Sequence, residues 1–259
     1  MNGVTGDLTV WRVEWLRLLR TRRWLALGGV FVLFGFIGPL VAKYTSQLLS
    51  HAGTKGAPIT IIVPPPVPAD GVSGYTGNAL QIGLVVTVVI AAFALAFDAR
   101  PALSVFYRTR TRRHADLVLP RFAVSAAGAV AGYLVGLLCS WYETAVLIGD
   151  PGTMPVLETA LTGSLYLVFA VAVTALTATL ARSTLGTVGY ALVVLLALPI
   201  VGAVPGVSRW LPSALAGAPD ALLRHTNPDH YQRALIITVL ATAAVLALAV
   251  VRGARREVR

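Results

Sequence analysis

The stretch DARPALSVFYRTRTRRHADLVLPR, residues 98–121, decides how the rest of the sequence is read. It is a basic island between two long apolar runs. Arg100, Arg108, Arg110, Arg112, Arg113 and Arg121 stand against only Asp98 and Asp116. Each arginine at a bilayer centre would cost about 2.5–3.5 kcal/mol on an insertion scale, so the whole island is expected as a loop in water. Arginine accumulates on the cytoplasmic side, which places the loop there. A short helix fits its middle. Pro101 suits a first turn, and Leu103, Phe106 and Tyr107 share one face at i, i+3, i+4 spacing. Such a helix either docks onto a partner or lies against anionic lipid headgroups.

Around the island the chain is apolar. Of 259 residues, 56% are hydrophobic and 12% charged, with a mean hydropathy of +0.76; soluble domains carry about 25% charged residues. Six runs free of Asp, Glu, Lys and Arg are long enough to cross a hydrocarbon core: 24–42, 78–97, 122–142, 159–181, 183–204 and 234–251. Before the first of them, DLTVWRVEWLRLLRTRR (7–23) sets Leu8, Trp11, Trp15, Leu18 and Leu19 in one stripe with Arg12, Arg17, Arg20 and Arg23 spread along it. Tryptophan favours the headgroup zone and arginine snorkels from it. The expected fold is therefore all-α. It is a polytopic membrane protein of one transmembrane domain over 1–259, six transmembrane helices preceded by an amphipathic interfacial helix.

Orientation follows from arginine and lysine. With the amino terminus inside, only Lys43, Lys55, Arg209, Arg224 and Arg233 fall outside; every other basic residue falls inside. Both termini are then cytoplasmic, and 43–77 and 205–233 are the long external segments. The first apolar run follows a long basic helix and lacks a good small-residue cleavage site, so no cleaved signal peptide is expected. Pro64 to Pro68 rule out helix there, while 69–81 suits a helical turn feeding the second span. Short helical pieces are expected at 211–215 and 219–223. Arg182 alone links the fourth and fifth spans, giving a tight hairpin. Pro39 and Pro199 are expected to kink or end their spans.

Candidate residues are few. Gly128, Gly132 and Gly136 form a double small-xxx-small pattern for close helix packing, within the chain or against a second copy. Glu143 and Glu158 flank the outer ends of the third and fourth spans, Glu158 at an expected helix start where the dipole favours an acid. With Asn78 and Gln81, which open the second span on one face, they are candidates for a pathway or gate. No G-x-x-x-x-G-K-[ST] loop is present to cradle phosphate, and no H-E-x-x-H to hold a metal. His225 and His230, with Asp229 beside the latter, read as a solvated loop. Cys139 and Ser140 have no histidine base within a span. No catalytic residue, metal site or cofactor is expected in this chain. The net charge of +10 would suit nucleic acid, but the arginines sit at span ends, so no nucleic-acid partner is expected.

The order of these parts resembles the permease family of type-2 ATP-binding-cassette exporters, six-span half-subunits without an ATPase of their own. The resemblance is carried by RVEWLRLLRTRRW (12–24), DLVLPRF (116–122), WYETAVLIG (141–149) and RWLPSALAG (209–217), and covers nearly the whole chain. It implies a coupling helix at 102–114 that docks in a groove of a separate ATPase subunit. Leu103, Phe106 and Tyr107 would be the apolar anchors, and Arg108, Arg110, Arg112 and Arg113 the charged rim. It implies ATP and Mg on that partner, and a second permease, identical or related. It also implies an outer gate of short helices before the last span, and a bacterial plasma-membrane location. The apolar walls suggest a hydrophobic or amphiphilic substrate. A non-transporting membrane anchor or assembly subunit and an intramembrane enzyme are the alternative readings. A secondary carrier is a further one, though charge-free spans offer little to couple ions.

Overall fold

The structure, a computed structural model, describes residues 3–52, 65–96, 115–204, 206–207 and 210–256. It is all-α; no strand occurs among the described residues. The helices are α1 (Gly3–Arg20), α2 (Arg23–Ala52), α3 (Pro68–Asn78), α4 (Leu84–Leu95), α5 (Ala115–Leu147), α6 (Thr153–Leu180), α7 (Thr184–Gly202), α8 (Ala214–Leu223) and α9 (Gln232–Arg256). A π-helical turn, Ala79–Gly83, joins α3 to α4. Six helical stretches are long and apolar enough to cross a membrane: α2, α3 with α4, α5, α6, α7 and α9. The chain is a multi-pass membrane protein. Alternation of the six stretches brings Arg20, Arg23, Arg121, Arg182, Arg252 and Arg255 to one end of the bundle, here the basic end.

The most extensive helix contact in the bundle is a parallel seam between α2 and α5. A methyl group added at Gly132 would stand 3.0 Å from the Phe31 ring, and one at Gly136 would stand 2.5 Å from the Phe31 carbonyl oxygen. A methyl at Gly35 would meet the Gly136 carbonyl oxygen at 2.5 Å, so at that level backbone touches backbone. Gly128 lies farther out, under the Leu18 and Leu27 side chains. The glycine stripe is thus used within the chain: Phe31, fully buried, sets its ring on Gly132 and its backbone on Gly136. Tyr133 continues the packing: its ring meets Phe31 edge-on at 6.1 Å and stacks on Tyr75 at 5.7 Å. Gly163 of α6 gives way to the Tyr133 hydroxyl. Apolar side chains such as Leu185, Val193, Leu196 and Ile200 of α7 and Ile236 and Leu240 of α9 project outward, the surface that a bilayer requires.

Several expected boundaries move. The island does not stay a loop to 121, because α5 begins at Ala115 and Arg121 is buried within it. Burial is possible because an acid from α1 meets the arginine. The first span does not end at Ala42: α2 runs through Pro39 and Lys43 to Ala52. The second span starts ten residues early, at Pro68, whose fixed φ suits a first turn. The separate pieces expected at 211–215 and 219–223 are one helix, α8, with Pro219 inside it. The tight hairpin is observed, with the Ser183 hydroxyl accepting from the Gly186 N–H at 3.0 Å to cap α7. The α1–α2 corner turns at Arg22, with φ +54°.

Gly136→Ala forces its methyl against backbone that cannot swing aside, and overpacking of this kind costs about 1–3 kcal/mol. Gly29→Ala meets nothing within 4 Å. The first variant should unfold earlier than wild type in detergent and the second should not; equal midpoints would contradict the seam.

Candidate functional site

The charged groups of the described residues gather at the two ends of the bundle. At the end away from the basic helix ends, α2, α3 and α8 enclose a groove of about 530 Å³, within the range of about 300–1,000 Å³ typical of small-molecule sites. Its apolar side is Ile37, Val41 and Ala42 of α2; its polar side is Ser73, Thr76 and Asn78 of α3, with Asp70 and Asp220 at the rim. Gly38 and Gly74 bring α2 and α3 close enough to form the floor: a methyl at Gly38 would meet the Tyr75 backbone nitrogen at 2.5 Å.

Local sequence explains how these residues are held. Pro68 opens α3, and the Val67 N–H donates to Asp70 Oδ2 at 3.0 Å, so the acid caps its own helix. Arg224 then bridges the two rim acids, donating from its guanidinium to Asp70 at 3.0 Å and from Nε to Asp220 at 3.2 Å. The neighbouring Asp220 carboxylate pushes the Arg224 pKa above its ordinary value, so the guanidinium stays charged. The arginine side chain is 51% exposed, and exposed pairs contribute about 0–1 kcal/mol. The bridge orients α8 over α3 more than it stabilises the fold.

Beneath the groove runs a chain of hydrogen bonds linking four helices. Tyr75 Oη donates to the Tyr133 carbonyl at 2.6 Å, and Tyr133 Oη donates to the Thr159 carbonyl at 3.2 Å. Thr159 Oγ1 donates to the Pro219 carbonyl of α8 at 3.5 Å. Beside it on α5, Ser140 Oγ, Thr144 Oγ1 and Glu143 Oε2 are buried without a hydrogen-bond partner among the described residues.

At the basic end the principal feature is an ion pair. Arg121 Nε donates to Glu14 Oε1 at 2.9 Å, with the two side chains 0% and 5% exposed. Arg17 stands 3.8 Å from the other Glu14 oxygen. Arg23 lies over the Phe93 ring at 5.5 Å, tying α2 to α4.

Of the residues singled out from sequence, the structure brings only Asn78 to the groove, half-buried with Nδ2 donating to the Gly74 carbonyl at 2.8 Å. Gln81 is exposed and outside the groove lining. The π turn between them takes an extra residue, so positions three apart no longer share a face. Glu143 is half-buried on α5, outside the groove lining. Glu158 is not at a helix start, because α6 begins at Thr153; it is half-buried, one turn in, and its carbonyl accepts from Thr162 at 2.9 Å. Leu103, Phe106, Tyr107, Arg108, Arg110, Arg112 and Arg113 lie outside the described residues. Sequence reading missed Asp70, Asp220 and Arg224. The signals present were Pro68 with Asp70 two residues later and the i, i+4 spacing of Asp220 and Arg224. It also missed Glu14, whose partner lies 107 residues away. In comparisons with known proteins, no family model and no curated protein matches this chain.

If the groove is open to water, a cysteine at its wall will react and one beneath it will not. In a Cys139→Ala background, Ser73→Cys should label with a membrane-impermeant maleimide and Ser140→Cys, fully buried, should stay unlabelled. Equal labelling at both positions would contradict the geometry.

Proposed function

We propose that this chain is the membrane permease subunit of an ATP-binding-cassette exporter of the second type. It would form half of a translocation pathway and couple to a separate ATPase subunit through residues 98–114. The observation that carries this reading is α8. A short apolar helix between the fifth and sixth spans is turned back into the bundle, with Leu215, Ala218, Pro219, Leu222 and Leu223 buried. It walls a groove at the end opposite the arginines, where the resemblance expects an outer gate. In this reading the basic end faces the cytoplasm of a bacterial cell, and both termini lie there. The groove has one apolar and one polar side, which suits an amphiphilic substrate such as a lipid or a hydrophobic peptide.

The division of labour follows from the chain's own chemistry. ATP and Mg bind the partner ATPase, which supplies the free energy. This chain supplies the path, a lever in the arginine-rich segment, and packed helices that transmit its movement. A ligand shifts an equilibrium only by its differential affinity for the two states, so ATP would have to favour the closed ATPase dimer. Two permeases, identical or related, would be rocked together by that closure. Spans without charged residues at their centres leave substrate contact to the hydroxyls, amides and apolar surfaces near the groove.

Purification from native membranes in mild detergent, followed by identification of the co-purifying proteins, tests the reading. A P-loop ATPase at about equal stoichiometry is expected, and Phe106→Ala with Tyr107→Ala should release it while leaving membrane insertion intact. Normal substrate-dependent ATP turnover in that double variant would contradict the assigned coupling surface. A complex without an ATPase would favour the anchor or assembly reading.

A further inference from the structure

The surface helix α1 is attached to the bundle in an unusual way. Among its residues whose side chains are described, 11–20, the one buried side chain is an acid, Glu14. Trp11, Trp15 and Leu19, the apolar stripe that would ordinarily seat a helix on a core, are exposed. Of the stripe residues with described side chains, Leu18 packs inward, over Gly128 of α5. The carboxylate of Glu14 instead reaches Arg121, six residues into α5. Charges out of water are retained only with close partners, so this contact fixes both side chains and not merely their neighbourhood.

The surroundings of the pair give it meaning. The space beside it, about 20 Å³, is lined by Glu14, Arg17 and Leu18 of α1, Ile90 and Ala94 of α4, and Arg121. α4 ends at Leu95 and α5 begins at Ala115. The pair therefore sits between the two helix ends that flank residues 97–114, the stretch holding the arginine cluster. A force applied to that stretch reaches the bundle through the last turn of α4 and the first turns of α5. α1 is held against the second of these, with Ile90 and Ala94 of α4 lining the small space beside the pair.

We propose that Glu14 and Arg121 are positioning residues that clamp α1 to the root of the arginine-rich segment, so that α1 and α5 move as one body when that segment is loaded. The clamp leaves Trp11, Trp15, Arg12 and Arg20 facing outward, free to remain in the headgroup zone. The functional consequence rests on the exporter reading above; the clamp itself does not. Without it, α1 would lose its buried tie to α5, and the ATPase would push on the spans alone.

The test separates the two. Spin labels at Leu16→Cys of α1 and Leu119→Cys of α5, both exposed, are introduced in a Cys139→Ala background, and their distance distribution is measured in the purified full-length chain. Glu14→Ala takes a carboxylate away from a buried arginine and could simply unfold, so Glu14→Ala with Arg121→Leu is measured beside it, removing both charges together. The expected result is a single narrow distance in the parent and its loss in the double variant, at an unchanged thermal midpoint. In the complex with its ATPase, the double variant should hydrolyse ATP but move less substrate per ATP than the parent. A distribution in the double variant as narrow as in the parent would overturn the clamp, whatever co-purifies. A broadened distribution with an unchanged transport-to-hydrolysis ratio would overturn its part in coupling. Absence of any ATPase partner would instead count against the exporter reading and leave the distance measurement standing.

Discussion

Backbone contact between α2 and α5 at Gly35 and Gly136 sets where the rest of the bundle can sit. Lipid tails are as apolar as leucine, so helices in a membrane gain little from burying apolar area against one another and must gain from close packing. Here that closeness is obtained at Gly132, which receives the Phe31 ring, and at Gly136, which lies against the Phe31 backbone. Parallel neighbours cannot be joined by a short turn. The chain between them must cross back, and the stretch Pro68–Leu95 does so. That crossing carries Tyr75 to the seam and Gly74 to the α2 backbone, and so makes the groove. One packing constraint thus fixes the core and the shape of the polar end together.

The two ends are polar in different ways. At the groove, charge is exposed and exchangeable: Arg224 shares itself between Asp70 and Asp220 in reach of water. At the basic end the pair of Glu14 and Arg121 is dry and fixed. A binding surface must be able to trade partners, whereas a mechanical joint must not. The difference in burial matches the two roles assigned here, substrate contact at one end and transmission at the other. Between them, buried threonines satisfy themselves on their own helices, as Thr174 does on the Ala170 carbonyl and Thr238 on the Ala234 carbonyl, and leave the middle of the bundle without charge.

How much of this was legible in the sequence divides by range. Composition and charge-free runs give the all-α class, the six crossings and the short α6–α7 hairpin, because each depends on residues close together in the chain. The glycine stripe declared itself by spacing, although spacing could not say that Phe31 would pack against it. Span ends were misplaced wherever a polar or proline residue was helical: Pro39, Lys43 and Pro68 all lie within helices. Arg121 looks like a solvated loop residue from sequence because its cost is set by a partner that no local pattern reveals. Asn78 and Gln81 share a face on helical spacing alone, and the π turn between them carries no sequence signature. Asp220 and Arg224 showed their helical spacing, but Asp70, the third member of their bridge, stands 154 residues from Arg224.

The central claim is that this chain moves an amphiphile using energy supplied by another subunit. Reconstituting the native complex in liposomes and following a fluorescent amphiphile across the bilayer tests it most directly. The account predicts movement that requires ATP and stops when a non-hydrolysable analogue replaces it. Movement at the same rate without ATP, or ATP hydrolysis that leaves the amphiphile where it was, would contradict it.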